Sequence, residues 1–463
     1  MIKLDGKIRN MKQFKRIIFI AMLFCFTNVK AQFDLDYKPV KYSSSGYKMT
    51  ESSFFKKLKV KYNTSDQNMI KKFNKYLYVL YRGYADGSKQ KQFIEEPYVK
   101  MYLKTILDSV LAKNNIKDKI DIVCTRYAVP NAFNMGDNKL YVNIGILEQL
   151  NNEAQLAFLL CHELSHQLLF HVQDNFIAME KLAKDKTVKK EIRDIKKARY
   201  NKLDKTFQFL KNYNYDFAKY SRANEKSADS MAVVLLRNTE YDLNEGKTLM
   251  DILEHSDEDS SKIDYHNYLN SKTNSIRSEW LVAKKNTLNF GNKTEMEFDE
   301  DSIKTHPDIP LRIKMIDTLL SNFSYTPKDK KKFLQPQSTF DSLANMSRFE
   351  IIEIYLKKKR YGAVVYYSIL LLNKFPENKY LYKNIGIGLN EMNKAIKKHT
   401  IQNYIPIESE KDFSEGYNQL LRIIDRTSAE EFDVLVKNYF NQYYSKMSTY
   451  PEIQTIYESF KTK

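Results

Sequence analysis

The stretch "LLCHELSHQLLFH", residues 159–171, places three of the chain's seven histidines within ten positions of an apolar segment, where an ordinary core helix would carry none. Asn151 and Asn152 offer a helix cap, and the following Glu153-Ala-Gln-Leu-Ala-Phe-Leu-Leu brings apolar residues at helical spacing. On that helix His162 and His166 lie one turn apart and share a face, so two imidazoles can converge on one ion. Glu163, one step round, can reach a water bound to that ion, which makes His162-Glu163-Leu164-Ser165-His166 an HExxH motif. The bland alternative, a chance HExxH on a core helix, would bury a glutamate that needs partners to offset its desolvation. His171, five residues past His166, is expected to turn well away from the ligand face. The longer HExxHxxGxxH pattern is excluded, because Leu169 and Val172 stand where its glycine and third histidine would fall. Cys161 also points off that face and reads as a buried thiol.

A hydrolytic zinc site wants three protein ligands and one open position for water. The downstream candidate is "SRANEKSADSMAV", where Glu225 and Asp229 are four apart on a helical stretch. Alone, that pair would read as a solvated helix face. With HExxH upstream, Glu225 can complete a His-His-Glu set, and Asp229 can accept the free ring N–H of a ligating histidine.

These residues carry a resemblance. The segment "VPNAFNMGDNKLYVNIGILEQLNNEAQLAFLLCHELSHQ", then "RANEKSADSMAV" and "THPDIPLRI", resembles the zinc metallopeptidase family of the HtpX-like heat-shock proteases, CAAX prenyl proteases and periplasmic BepA-like proteases. Those enzymes are gluzincins, with HExxH and a later ExxxD helix, and the likeness runs over roughly residues 95–320. It implies one zinc ion per chain held by His162, His166 and Glu225, with Glu163 as catalytic base. It also implies that Asn131-Ala132-Phe133 opens the substrate-side edge strand. Two departures, Glu240 where the family commonly has a glycine and Ser165 before the second histidine, touch backbone geometry more than ligand chemistry.

The expected chemistry is peptide hydrolysis: zinc lowers the pKa of its water, and Glu163 takes the proton and passes it to the leaving amine. The tetrahedral oxyanion needs a donor besides the metal, for which His306 in "KTHPDIPLRI" is the candidate, with Arg312 as further support. The alternative for Thr305-His306-Pro307 is a plain turn with an exposed histidine. "KLYVNIG", residues 139–145, reads as a strand, and "GDN" before it as a hairpin turn after "NAFNM". An extended peptide laid along such an edge would be held by main-chain hydrogen bonds.

At 463 residues the chain can hold two domains. Residues 1–31 read as a signal peptide: Lys12, Lys15 and Arg16, an apolar run from Ile17 to Phe26, then Val29-Lys30-Ala31 before Gln32. The alternative for this run is a membrane anchor, for which it is short, and no later stretch is an uninterrupted span, so no transmembrane segment is expected in the mature chain, which would be exported, periplasmic or envelope-associated, or secreted. Met11 offers an alternative start. Removing residues 1–31 takes away seven basic residues and one acidic residue, so the net charge falls from +18 to +12, still favouring acidic or membrane surfaces. Much of the charge lies in residues 181–222, where both signs interleave as on a solvated helical hairpin; nucleic acid is not an expected partner. Cys124 and Cys161 suit one disulfide or two buried thiols.

Beyond the metal motifs, Tyr382-x2-Ile385-Gly386-x2-Leu389 imitates the opening of a tetratricopeptide (TPR) repeat, with Pro376 where a repeat would end. The expected architecture is mainly α with a small β-sheet: a partly helical N-terminal extension over 32–94, a gluzincin-type zinc peptidase domain over 95–325, and a helical, TPR-like domain over 340–463. The function expected is an exported zinc endopeptidase acting on extended or misfolded envelope polypeptides, with protein partners docking on the C-terminal helices. The alternative is an envelope chaperone or TPR-type binding scaffold with a gated or structural zinc site.

Overall fold

The computed structural model describes residues 33–40, 51–58, 60–89, 93–197, 222–255, 263–270, 276–283, 309–328, 330–409 and 413–461. Among the described residues the chain is mainly helical with one three-stranded sheet, and it forms two compact units. The expected signal peptide and His306 lie outside the described residues, as do residues 198–221 of the expected charged hairpin. No described helix is long and apolar enough to cross a membrane.

The unit that carries the metal motifs draws on residues 41–255 and 287–337. Its helices are α1 (Glu51–Lys57), α2 (Gln67–Lys89), α3 (Pro97–Lys113), α4 (Ile144–Gln149), α5 (Glu153–Leu168), α6 (His171–Lys184), α7 (Lys186–Lys197), α8 (residues 222–237), α9 (Glu245–Glu254) and α10 (Ile309–Asn322). Its strands are β1 (Asp121–Thr125), β2 (Ala132–Asn134) and β3 (Lys139–Asn143), in the order β1-β3-β2. β1 runs parallel to β3, with Cys124 opposite Val142, and β2 runs antiparallel to it, with Phe133 opposite Tyr141. The strand expected over 139–145 ends two residues early: Ile144 and Gly145 already belong to α4. Gly145 donates its N–H to Tyr127 O at 3.0 Å, and a Cβ there would meet Ala128 O at 2.0 Å, so only glycine lets the backbones approach this closely.

Helix α5 is buried almost all round, which makes it the axis of the unit. Asn152 caps it, accepting from Gln155 N at 3.0 Å. Its first residue, Glu153, is fully buried yet accepts from the hydroxyls of Tyr102 and Tyr241 and from the backbone N–H groups of Leu334 and Gln335. A carboxylate so saturated with donors is a rivet that joins α3, α5 and two distant loops. Cys124 and Cys161 are both buried and form no disulfide, so of the two expected states the structure has the thiols.

The other unit draws on residues 1–40, 256–286 and 338–463. It is built on α11 (Gln337–Lys357), α12 (Tyr361–Leu372), α13 (Lys379–Lys397), α14 (Glu415–Arg426), α15 (Ala429–Met447) and α16 (Pro451–Lys461). Tyr382, Ile385 and Leu389, from the repeat-like pattern, are buried core residues of α13. Two segments remote in sequence complete this core. Phe33 and Tyr37 stack on Phe349 with ring centroids 5.5 and 4.5 Å apart, and Asn378 Nδ2 donates to Phe33 O at 2.7 Å. Tyr265 donates its hydroxyl to Gly416 O at 2.8 Å, and Arg422 donates to Leu281 O at 2.7 Å.

Candidate metal site

Helices α5 and α8 bring three donors together. His162 Nε2 is 3.1 Å from His166 Nε2 and 3.3 Å from Glu225 Oε2, and His166 Nε2 is 3.3 Å from Glu225 Oε1. Among the described residues these three are the group of His, Cys, Asp and Glu side chains arranged to hold a metal ion. Donors about 2.0–2.1 Å from a shared tetrahedral zinc would lie about 3.3 Å apart, so the observed separations fit three corners of such a site.

The surroundings favour a cation at that point. Burial lowers the pKa of the His162 imidazole, but Asp229 and Glu225 outweigh burial and hold it up at about 10. Asp229, itself fully buried, has one oxygen 2.9 Å from His162 Nδ1. Burial pushes its carboxyl up, while the contacts with His162 and Arg312 prevail and hold it below the ordinary carboxylate range. With Nδ1 turned to that carboxylate, His162 Nε2 faces the other two donors, where a metal ion would take the place of its proton.

Arg312, on α10, is placed differently from the expectation that it would support an oxyanion. Its Nε and Nη2 each donate to Asp229 at 2.7 Å in a two-pronged pair, and Nη2 is 3.7 Å from Glu225. Burial works against its charge, but Asp229, Glu225 and Glu163 together keep it firmly protonated. The guanidinium is therefore committed to holding the carboxylate behind His162. Glu163 is buried in α5 at 8% exposure. Glu163, Glu225 and Asp229 all act on this one guanidinium, so carboxylates outnumber it three to one at the site.

His171 is outside the donor set, as expected, but it does not turn away from the site. The expectation carried the α5 helix onward, whereas α5 ends at Leu168 and Phe170 adopts a left-handed conformation with φ 59°. That break starts α6 at His171 and returns its ring to His166, Nδ1 to Nδ1 at 2.9 Å. Its Nε2 lies 3.0 Å from Ser227 Oγ on α8. Burial and the neighbouring His166 lower the His171 pKa to about 4, so it is neutral at pH 7.

Asn131, Ala132 and Phe133 stand at the start of β2, where Asn143 N donates to Asn131 O at 3.0 Å and Phe133 stacks on Tyr141 at 4.9 Å. β2 pairs with β3 on one side, and among the described residues no strand pairs with its other side. Gln167, which sequence reasoning passed over, fixes this strand to α5. Its Oε1 accepts from Asn134 Nδ2 at 3.0 Å and from Asn138 N at 3.2 Å. Ser227 was also missed, although it falls between Glu225 and Asp229 on the same helix.

Comparison with known proteins converges on the same segment. Residues 97–320 match the family described as Peptidase family M48. The mitochondrial metalloendopeptidase OMA1 of Schizosaccharomyces pombe is 29% identical over 150 residues, which is 32% of this chain and 42% of that relative. The similarity thus spans less than half of either protein. Both HExxH and the Glu225–Asp229 pair lie inside the matched residues, so the segment that carries the candidate site is the one that is similar to peptidase family M48.

Proposed function

We propose that this protein is a zinc-dependent endopeptidase, exported to the cell envelope, that hydrolyses extended or misfolded polypeptides. The observation that carries the reading is the set of three donor separations, 3.1, 3.3 and 3.3 Å, within a carboxylate-rich and nearly buried pocket. The family match and a relative named as a metalloendopeptidase support it. Zinc held by His162, His166 and Glu225 would lower the pKa of a water and polarise a peptide carbonyl.

The chain's own residues do the rest. Asp229 accepts from His162 and fixes its ring, and Arg312 holds Asp229 in turn. Glu163 takes the proton of the attacking water and delivers it to the leaving amine. His306 donates to the oxyanion as that charge develops. The edge of β2 away from β3 pairs with the substrate backbone, which selects extended chains over any particular sequence. The C-terminal helices, in this reading TPR-like, dock polypeptide clients, and the export signal places the enzyme where such clients accumulate.

Digestion of casein by the purified mature chain tests the proposal. Cleavage should stop when a chelator removes the metal and return when zinc is added back. Chelator-resistant cleavage, or no cleavage at full zinc content, would contradict it.

A further inference from the structure

The second histidine of the motif has an unusual neighbour. His162 turns its distal nitrogen to a carboxylate, but His166 turns its own to another imidazole. The direction of the hydrogen bonds there follows from one anchored end. Ser227 Oγ donates its single proton to the backbone carbonyl of Asn224 at 2.9 Å. Its oxygen must therefore accept from His171, which puts the His171 proton on Nε2. An imidazole that donates through Nε2 can accept through Nδ1, and the 2.9 Å contact sets His171 Nδ1 to take a proton from His166 Nδ1. The proton between the two rings then belongs to His166 Nδ1, and His166 Nε2 is left as a lone pair facing His162 and Glu225.

We propose that His171 and Ser227 are positioning residues that hold the His166 ring in its metal-binding tautomer, an inference that rests on the metal-site reading above. The backbone supports this assignment independently. Phe170 is a bulky residue in the left-handed region, a conformation such residues rarely adopt, and it is this turn that delivers His171 to His166. The ring is 5% exposed and meets His166 edge to face, with centroids 4.9 Å apart and planes at 75°. Charge explains why an imidazole serves here. Glu163, Glu225 and Asp229 already surround one guanidinium, and a further carboxylate behind His166 would add repulsion, whereas a neutral acceptor orients the ring without it. The chain thus supports one ligand with an anion and the other with a neutral relay ending on a main-chain carbonyl.

Zinc affinity of the full mature chain, read by competition with a chromophoric chelator, tests the role. His171→Phe should weaken zinc binding by about 10- to 100-fold, the usual loss when a metal ligand's outer partner is removed. His171→Asn, which keeps an acceptor near the position of Nδ1, should restore most of that loss, and Ser227→Ala should cost less than His171→Phe. The metal-free variants should melt close to the metal-free wild type. Equal zinc affinity in wild type and His171→Phe, or equal losses in the Phe and Asn variants, would overturn the proposal. In zinc-loaded wild type labelled with 15N-histidine, long-range nitrogen–proton correlations should show His171 protonated on Nε2. A proton on Nδ1 would overturn the proposal even if the Phe variant failed to fold. A wild-type chain that binds no zinc would remove the metal site itself, an outcome distinct from failure of the relay alone.

Discussion

Arg312 is 6% exposed and spends two of its donors on Asp229, the carboxylate that faces His162. Arg312→Ala would leave Asp229 and Glu225 buried without their organic cation, and removing one partner of such a pair costs about 3–5 kcal/mol. Chemical denaturation should show that loss, and chelator competition should show weaker zinc binding. Unchanged zinc affinity with only kcat reduced would return Arg312 to a transition-state role. His162, His166, Glu225 and Asp229 were legible in the sequence because residues four apart share a helical face whatever the tertiary structure. The partner of Arg312 was not legible, since it depends on where α10 docks, and proximity to Thr305-His306-Pro307 in sequence suggested another use. His171 was misread for a local reason: a phenylalanine gives no warning of a left-handed turn that a glycine at position 170 would have signalled.

At the scale of elements, the placement of α5 depends on its first residue as much as on its apolar faces. Glu153 accepts from two tyrosine hydroxyls and two backbone N–H groups while fully buried. Glu153→Ala would strand those donors, at a cost of roughly 3 kcal/mol or more. The expected result is a lower urea midpoint for unfolding; a wild-type midpoint would mean that the donors find other acceptors. The hairpin of β2 and β3 could be read from its turn residues, with Gly136 and Asn138 both at positive φ. The end of β3 could not, because Ile144 suits a strand and only the close approach at Gly145 forces the change to helix.

In the whole molecule, the C-terminal helices are completed by residues from two other parts of the chain. Phe33, Tyr37, Tyr265 and Trp280 are all buried in this unit. A helical domain over 340–463 was expected from the repeat-like pattern, but aromatic contacts between residues 33 and 349 leave no periodic trace, so the segments that complete its core were not. A chain truncated at residue 337 should therefore expose these aromatics and aggregate; a soluble, monomeric truncation product in size-exclusion chromatography would contradict this. The same unit should show acid sensitivity at Asp433. Burial raises that carboxyl's pKa, but Lys397, Asn393 and Lys437 together hold it well below the ordinary range. A depressed folded-state pKa gives stability that is complete above the unfolded value of about 3.9 and is lost as pH falls towards the folded value. The melting-temperature gap between wild type and Asp433→Asn should thus be widest near pH 7 and narrow below about pH 4. A gap independent of pH would assign the effect to packing. Glu163 is a buried glutamate beside three donors that could hold a metal ion, and it is the residue proposed here as the base. The most direct test of that role is the rate of casein hydrolysis by wild type and Glu163→Gln, each brought to the same measured zinc content. The account predicts equal zinc and hydrolysis reduced by about a hundredfold or more in the variant. Equal rates at equal zinc would contradict it.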